Sequence, residues 1–290
     1  MRSRRSSHPG PGTPMARRRR SLARLFAPVL NAWAWTSAVL VVLFGFLYVA
    51  AVFVVTAPFD RGRYAAGRAF RHLGVLAAKL NPLWDFHVFG EPIADPRRPY
   101  VAVSNHESYA DIFLISHLPW EMKWLSKDTI FKIPVMGWMM QMAGDIKLRR
   151  GNRDSTLAAL SACRDRLRKR VSVMIFPEGT RSRGGELLPF KDGAFRLAIE
   201  AGVPILPIVV AGTRHAMAKG TFRFQHARAG VRVLPPVETT GMSLDDIATL
   251  RERVRRIIDD GRIQLAAELG LPAGYDKPLG DDRNRVSRSA

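Results

Sequence analysis

A long uncharged run near the start of the chain limits what this protein can fold into. From Leu25 to Phe59 no residue carries a formal charge, and the centre of the run, Ala38 to Leu47, is strongly apolar. As a single helix that rises about 1.5 Å per residue the run would reach roughly 52 Å, whereas the hydrocarbon core of a bilayer is about 30 Å thick. The sequence therefore predicts that residues 25–59 form a membrane-embedded helix, or a helical hairpin that breaks near Gly45 and stays within one leaflet.

The basic residues before this run favour a membrane surface over a nucleic acid. The formal net charge of +20 and the pI near 11.2 would suit nucleic-acid binding. However, residues 1–24 combine arginine with Ser, Pro and Gly, a composition typical of a disordered tail. Directly before an apolar run, such a tail is better explained as a clamp on anionic lipid. We therefore expect the lipid bilayer as a partner and no nucleic acid.

Basic residues also follow the apolar run. Tyr64 to Leu80 is predicted as an amphipathic helix with Ala, Phe and Leu on one side and Arg68, Arg71 and Lys79 on the other. Basic flanks at both ends of the run favour a segment whose two ends lie on the cytoplasmic face. We expect attachment to the cytoplasmic membrane with the following domain in the cytoplasm, while a single span with an external domain stays open.

Residues 60–270 alternate between strand-like and helix-like segments and are predicted to form one domain. Such alternation favours an α/β fold with a largely parallel central sheet flanked by helices, and site residues at the carboxyl ends of the strands. Two prolines in the strand Val203 to Val210 indicate an edge or an irregular ladder. Residues 271–290 are predicted as a polar tail. The other predicted strands are Trp84–Gly90, which ends in a turn, Tyr100–Val103, Trp124–Lys127, Asp145–Arg150, Val171–Phe176 and Val231–Leu234. The predicted helices include Ser155–Arg170, Gly193–Ala201 and a closing helix to about Leu269 that begins with a capping box of Ser243 and Asp246.

A histidine and an aspartate stand five residues apart at one of these junctions. His106 follows the strand Tyr100 to Val103, and Asp111 lies in the first turns of the helix after it. A carboxylate there can accept a hydrogen bond from one ring nitrogen and leave the other nitrogen to take a proton from a substrate hydroxyl. The spacing alone is a weak signal. Together with its placement, it predicts a general base that works without a protein nucleophile.

Two later loops supply groups suited to a phosphorylated head group. Arg149 and Arg150 end a strand, and arginine presents a planar fork that fits phosphate. The next buried strand leads into Glu178-Gly179-Thr180-Arg181, which combines a carboxylate, a glycine that permits close backbone approach, a hydroxyl and an arginine. These parts are those that a ligand with hydroxyls and a phosphate requires.

Two further features have ordinary structural interpretations. The Met-rich segment Ile133 to Gly144 is either core or the lining of a channel for a flexible hydrocarbon chain. Cys163 is the single cysteine, so no internal disulfide and no cysteine metal cluster is expected. The histidines show no ligand spacing with other donors, and no metal is predicted.

Four blocks in this order resemble those of the glycerolipid acyltransferases, and most closely the 1-acyl-sn-glycerol-3-phosphate acyltransferases. The blocks are Asn105-His106 with Asp111, Gly144 to Arg150, Phe176 to Ser182, and Val203 to Pro207. The second block departs from the family pattern, with Lys147 and Arg149 in place of aromatic and acidic residues. The resemblance implies a membrane-bound enzyme that moves a fatty acyl group from acyl-CoA or acyl-carrier protein to the free hydroxyl of lysophosphatidic acid, without a cofactor.

The resemblance also implies roles for individual residues. His106 would be the general base and Asp111 its orienting partner. Arg150 would contact the substrate phosphate, helped by Lys127. Glu178, Gly179, Thr180 and Arg181 would hold the glycerol phosphate, and the apolar run would form the helical hairpin that members of the family carry.

Other functions stay open at this point. The acceptor could be another lysophospholipid or a lyso-ornithine lipid, or water could take its place in an acyl thioester hydrolase. Ser104 and Ser108 flank His106 and could be nucleophiles, but neither lies in a Gly-x-Ser-x-Gly turn. A membrane-tethered nucleic-acid-binding protein rests on the charge alone.

Overall fold

A computed structural model describes residues 14–91, 93–182, 186–217 and 223–272. Helix α1 spans Pro14–Thr56 without interruption. The predicted disordered tail is therefore wrong for residues 14–24, which are helical, while residues 1–13 lie outside the described residues, as do residues 273–290 of the predicted C-terminal tail. The predicted break near Gly45 is also wrong, because the missing side chain of Gly45 instead lets Leu73 pack against α1.

The helical hairpin of this protein is formed by α1 and the next helix. Helix α2 spans Tyr64–Leu80, as predicted, and packs along α1. Among the described residues, one helix is long and apolar enough to cross a membrane, Phe26–Thr56, with a mean hydropathy of 2.9. Only 17% of its most apolar stretch is buried within the protein, so most of this helix presents apolar side chains outward.

The described residues confirm the predicted α/β fold. Seven strands form one sheet in the order β1-β7-β6-β2-β5-β3-β4. All strand pairs are parallel except β6 with β7, which is antiparallel. The strands are β1 Trp84–Phe89, β2 Val101–Ser104, β3 Met122–Lys127, β4 Ile146–Leu148, β5 Ser172–Ile175, β6 Ile205–Ala211 and β7 Ala227–Val233.

Of the two alternatives predicted for the proline-containing strand, an edge position or an irregular ladder, the edge position is wrong. Strand β6 lies inside the sheet between β2 and β7, and all of its residues are buried. Pro207 still contributes its carbonyl, which accepts a bond from Leu234 N at 3.0 Å, and the antiparallel register with β7 begins one residue later at Ile208. The apolar content of the strand therefore decided its position, and the ladder accommodates the proline.

The remaining helices are α3 Ala110–Ile115, α4 Met136–Ala143, α5 Arg153–Arg168, α6 Gly193–Ala201 and α7 Ile247–Glu268.

Alternating strand residues build a core on each face of the sheet. Val101 and Val103 face helices α5 to α7, whereas Ala102 faces α3 and the segment after it. A separate apolar cluster joins α1, α2 and α4 through Val49, Ala69 and Met139. The Met-rich segment therefore packs mainly as core.

Four buried charged side chains connect α2 to the sheet. We call Arg71, Glu121, Lys123 and Asp145 the α2 ion cluster. Arg71 Nη2 donates to Asp145 Oδ1, and Lys123 Nζ donates to Glu121 Oε1 at 3.0 Å and to the carbonyl of Arg63 at 2.7 Å. The predicted exposed position of Arg71 is therefore wrong, because this side chain is only 5% exposed and is ion-paired beneath α2.

A close approach of α2 to the sheet buries this cluster. A Cβ added at Gly67 would lie 2.2 Å from Glu121 Oε1, so a larger residue there would displace the buried carboxylate. Burial raises the pKa of Glu121 and lowers the pKa of Lys123, and the attraction between the two charges opposes both shifts. The attraction between its two cations and two anions thus offsets the cost of burying their charges.

Candidate active site

The predicted histidine and aspartate form a buried pair at the carboxyl edge of the sheet. His106 lies in the loop between β2 and α3, and Asp111 in the first turn of α3. His106 Nδ1 and Asp111 Oδ2 are 2.7 Å apart, and the pair is almost completely buried. Because Nδ1 is engaged by the carboxylate, the tautomer with its proton on Nδ1 is favoured and Nε2 is left as the basic nitrogen.

Backbone donors hold the carboxylate in place. Asp111 Oδ2 also accepts hydrogen bonds from Glu107 N at 2.8 Å and Ser108 N at 3.0 Å. The short spacing of the motif allows these bonds. The loop turns back toward α3, so that the N–H groups of the loop donate to the Asp111 carboxylate that orients the imidazole. The second oxygen, Oδ1, accepts from the hydroxyl of Thr213, which lies just after β6.

Two neighbours fix the loop that carries His106. The side-chain amide of Asn105 donates to Val210 O at 2.8 Å and accepts from Val210 N at 2.9 Å, which clamps the end of β2 to β6. The imidazole of His106 stacks on the ring of Phe176 with centroids 3.9 Å apart. The orientation of the imidazole is therefore set by contacts with the two strands that flank β2, which are β5 and β6.

Glu178 contacts the backbone of the first loop. Its Oε1 accepts from His106 N at 2.7 Å, and its Oε2 accepts from Leu188 N at 3.1 Å. Burial, together with the nearby carboxylates of Asp111 and Glu107, raises the pKa of Glu178 to about 8, although the two N–H donors act in the opposite direction. In this structure Glu178 supports the His106 backbone, and the predicted contact with glycerol phosphate stays a prediction.

The rest of the predicted loop lies beside it. Gly179 has a φ of 69°, and a Cβ added there would lie 2.9 Å from Lys191 Nζ, so the glycine brings this ammonium group close to the backbone. The guanidinium of Arg181 lies 3.7 Å from the centroid of the Tyr109 ring, while Thr180 is exposed. Two cationic side chains therefore stand on the loop that follows β5.

The two remaining predicted residues lie on the same edge but farther along the sheet. Lys127 ends β3, Arg150 follows β4, and both side chains are exposed. Strand β3 is two strands from β2 and β4 is three, which at about 4.8 Å per strand corresponds to roughly 10 and 14 Å. A substrate with a phosphate several bonds from its reacting hydroxyl would be needed to connect them with His106.

A small pocket opens beside the imidazole. It contains about 200 Å³ of empty space including its mouth. Its walls come from the loop after β2, the loop after β5 and helix α7, which contributes the buried side chain of Arg262. The lining residues are Asn105, His106, Glu107, Glu178, Ser182, Glu186, Leu187 and Arg262.

Other donors near the site have structural partners. The hydroxyl of Ser104 donates to Asn105 O at 3.0 Å and that of Ser108 to Met217 O at 3.1 Å, so both flanking serines are engaged with backbone carbonyls. Within the described ranges, no group of three or more His, Cys, Asp or Glu side chains is arranged to hold a metal ion. The chemistry that this arrangement can perform is proton transfer at His106 Nε2.

Some residues of the site did not emerge from the sequence. Thr213 lies 102 residues from Asp111, and Arg262 reaches the pocket from the last helix. One signal pointed to Thr213, because it directly follows a predicted buried strand, and the carboxyl ends of parallel strands meet at one edge. Nothing in the local sequence marked Arg262.

Comparisons with known proteins agree with the geometry. The model of the Acyltransferase family matches residues 85–211. The chain is 41% identical over 167 residues to the chloroplastic 1-acyl-sn-glycerol-3-phosphate acyltransferase BAT2 of Brassica napus, across 56% of this chain and 47% of that protein. It is 35% identical over 213 residues to 1-acyl-sn-glycerol-3-phosphate acyltransferase alpha of Homo sapiens, across 73% of this chain and 75% of that protein.

The fold gives the same result. The crystal structure of the 1-acyl-sn-glycerophosphate acyltransferase PlsC from Thermotoga maritima matches with a TM-score of 0.71 and 26% identity, across 84% of this chain and 98% of that one. The chain spans about half the length of the plant and algal relatives, 47% of the Brassica napus protein and 56% of the Chlamydomonas reinhardtii protein. With three quarters of the human relative matched, the chain belongs to the 1-acyl-sn-glycerol-3-phosphate acyltransferase family.

Proposed function

We propose that this protein is a membrane-bound O-acyltransferase that moves a fatty acyl group from acyl-CoA or acyl-carrier protein to the sn-2 hydroxyl of 1-acyl-glycerol 3-phosphate, giving phosphatidic acid. The observation that carries the proposal is the 2.7 Å contact between His106 Nδ1 and Asp111 Oδ2 at the carboxyl edge of the sheet. A histidine held in this way is a general base, and the family to which the chain belongs supports an acyl acceptor of this kind.

The mechanism needs no acyl-enzyme intermediate. A thioester is already activated, so the substrate hydroxyl attacks its carbonyl carbon while His106 Nε2 takes the hydroxyl proton. The tetrahedral intermediate then collapses, the carbon–sulfur bond breaks, and the departing thiolate receives the proton from the imidazolium. Asp111 stabilises that imidazolium between the two proton transfers, and backbone N–H groups near the first loop would stabilise the oxyanion.

The cationic residues of the carboxyl edge are proposed to bind the phosphate. Lys127, Arg150 and Arg181 stand on three different strands or loops of that edge. The span of roughly 10 to 14 Å from β2 to β3 and β4 exceeds the length of a glycerol phosphate unit, so Arg181 on the adjacent loop is proposed as the nearest contact. Lys127 and Arg150 would then attract the phosphate to the carboxyl edge of the sheet and bind its oxygens on the side away from Arg181.

The outward apolar surface of α1 supports membrane attachment. Phe44, Leu47 and Val54 are each more than 60% exposed, which would be costly in water. Because α2 returns along α1 to the sheet, we propose that α1 is embedded in the cytoplasmic membrane and that the catalytic domain faces the cytoplasm. The site would then meet its lipid acceptor at the membrane surface.

Product analysis tests the proposal directly. Membranes that contain the full chain are incubated with labelled acyl-CoA or acyl-carrier protein and with lysophosphatidic acid, lysophosphatidylcholine or a lyso-ornithine lipid. We expect label in phosphatidic acid, and inhibition of any other acylation by added lysophosphatidic acid. Preferred acylation of another lysolipid would overturn the acceptor, and release of free fatty acid without any acceptor would indicate a hydrolase.

A further inference from the structure

A buried threonine just after β6 contacts the carboxylate that orients His106. Thr213 is 0% exposed and begins the short 3₁₀ turn that follows β6. Its hydroxyl donates to Asp111 Oδ1 and lies 3.3 Å from Glu107 Oε2. A threonine hydroxyl carries one proton, and the carboxylates of Asp111 and Glu107 are both within hydrogen-bond distance of it.

The two carboxylate oxygens of Asp111 have hydrogen-bond partners from different parts of the chain. Oδ2 is shared by His106 Nδ1, Glu107 N and Ser108 N, which all belong to the loop after β2. Oδ1 accepts from Thr213, which lies in the turn after β6. Contacts at Oδ2 alone leave the carboxylate able to rotate about the bond to its Cβ, whereas a donor at Oδ1 fixes that rotation.

The register of β2 and β6 places Thr213 next to Asp111. Strand β6 is parallel to β2, and Ser104 pairs with Ile208. The amide of Asn105 is bonded to both backbone groups of Val210, which locks the ends of the two strands together. The turn that begins at Thr213 is therefore held opposite the first turn of α3.

We propose that Thr213 is a positioning residue for the acyl transfer, acting through Asp111 to hold His106 in its productive orientation. The proposal rests on the function proposed above, because that function makes His106 the base. Thr213 itself touches neither substrate nor the reacting atoms. Hydrogen bonds to a charged, buried group are among the stronger ones in proteins, which makes the hydroxyl, and not the size of the side chain, the property that matters.

The test compares a substitution that removes the hydroxyl with one that keeps it. Thr213→Val replaces the hydroxyl by a methyl group, and Thr213→Ser keeps it. Thr239→Val is the matched control, since the buried Thr239 hydroxyl donates to the backbone carbonyl of Val203 at 3.0 Å, away from the site. We expect kcat of Thr213→Val to fall about 10- to 100-fold with KM for both substrates little changed, and Thr213→Ser to keep a rate close to wild type.

The pH profile separates positioning from general destabilisation. The titratable and charged groups around the imidazole are Asp111 and Glu107, Glu178 and Glu186 of the loop after β5, and Arg262 of α7. Since imidazolium stability depends on the carboxylate that Thr213 holds, the acidic limb of kcat/KM against pH should move in Thr213→Val and return in Thr213→Ser. Thr239→Val should leave the limb unmoved. An unchanged kcat, or a loss with an unmoved limb, would overturn the proposal.

A second readout does not depend on activity. The ¹⁵N signals of the His106 ring, assigned with His106→Gln, are titrated in the full chain. Displacement of this titration in Thr213→Val and its return in Thr213→Ser support the proposal even if no acyl transfer occurs, whereas identical titrations overturn it. If Thr213→Val does not fold, Thr213→Cys, whose thiol is a weak donor, is judged by the same criteria.

Discussion

The two buried polar clusters of this protein are held in opposite ways. The α2 ion cluster lies at the amino ends of β3 and β4 and combines Arg71 and Lys123 with Glu121 and Asp145, so its formal charges cancel. The cluster at the carboxyl edge gathers carboxylates around a single histidine, and much of its compensation comes from backbone N–H groups.

This difference separates a structural from a chemical role. When one member of a neutral set of buried side-chain ions is removed, the opposite charge is left buried without its partner, which destabilises the folded state. At the carboxyl edge, several of the hydrogen bonds to the carboxylates come from backbone N–H groups, which remain when a side chain changes. A side-chain change there should therefore leave the fold intact and alter the orientation of His106. We therefore expect changes in the α2 ion cluster to affect folding and changes at the carboxyl edge to affect the reaction.

The largest loss of stability should follow from breaking the α2 ion cluster. Asp145→Ala removes the acceptor of both Arg71 Nη2 and Trp124 N. We expect a loss of about 3–5 kcal/mol in the free energy of unfolding, measured by urea unfolding in detergent with tryptophan fluorescence. The control is Glu200→Ala, which removes the partly exposed pair of Arg164 and Glu200 and should cost no more than about 1 kcal/mol. Equal losses in both variants would contradict the structural role of the α2 ion cluster.

Glu178 should give stability a dependence on pH. Its pKa of about 8 in the folded protein lies above the ordinary value of 4.5, so the fold favours the protonated form. The resulting stabilisation is full below pH about 4.5 and is lost as the pH rises to about 8, with a slope of up to about 1.4 kcal/mol per pH unit.

Glu178→Gln isolates this contribution. Its amide has one acceptor oxygen for the two N–H donors of His106 and Leu188, so the variant should be less stable than wild type by about 1–3 kcal/mol at pH 6. The deficit should narrow between pH 6 and 9, because only the wild type loses stability through ionisation of residue 178. Urea unfolding at several pH values measures both curves, and a deficit that stays constant would show that Glu178 is already ionised at neutral pH.

The smallest effect is expected at the glycine beside Lys191. Gly179→Ala places a Cβ at a φ of 69° and against Lys191 Nζ, whereas Gly151→Ala meets a φ of 78° with nothing within 4 Å. Both variants should lose roughly 1 kcal/mol of stability through backbone strain. Only Gly179→Ala should also raise KM for lysophosphatidic acid, because it displaces the Lys191 ammonium group, which we expect to assist Arg181 of the same loop in holding the phosphate. The same KM in both variants would show that Lys191 takes no part in phosphate binding.

Sequence reasoning succeeded where the relevant groups are close along the chain. The His106 and Asp111 pair, the bounds of α2 and the capping box of Ser243 and Asp246 before α7 all follow from spacings within a few turns, and the capping bonds are present at 2.7 and 3.3 Å. The alternation of strands and helices was enough to predict a largely parallel sheet. Local patterns therefore determined the elements and the central pair of the site.

It failed where the partner lies far along the chain. Arg71 looked like the exposed side of an amphipathic helix, yet its partner Asp145 is 74 residues away, and Thr213 is 102 residues from Asp111. The interior position of β6 likewise depended on which strands flank it, which proline content does not determine. Such contacts are set by tertiary packing, and no local periodicity contains them.

The most direct test of the central claim is the rate of phosphatidic acid formation by His106→Ala. The matched control is His87→Ala, because His87 Nε2 pairs with Asp85 Oδ1 at 2.9 Å on the surface of β1 and thus repeats the His–Asp contact without the buried site. At equal amounts of folded protein we predict a loss of about 10²- to 10⁴-fold for His106→Ala and a wild-type rate for His87→Ala. A His106→Ala variant that keeps its rate within a factor of a few would contradict the account.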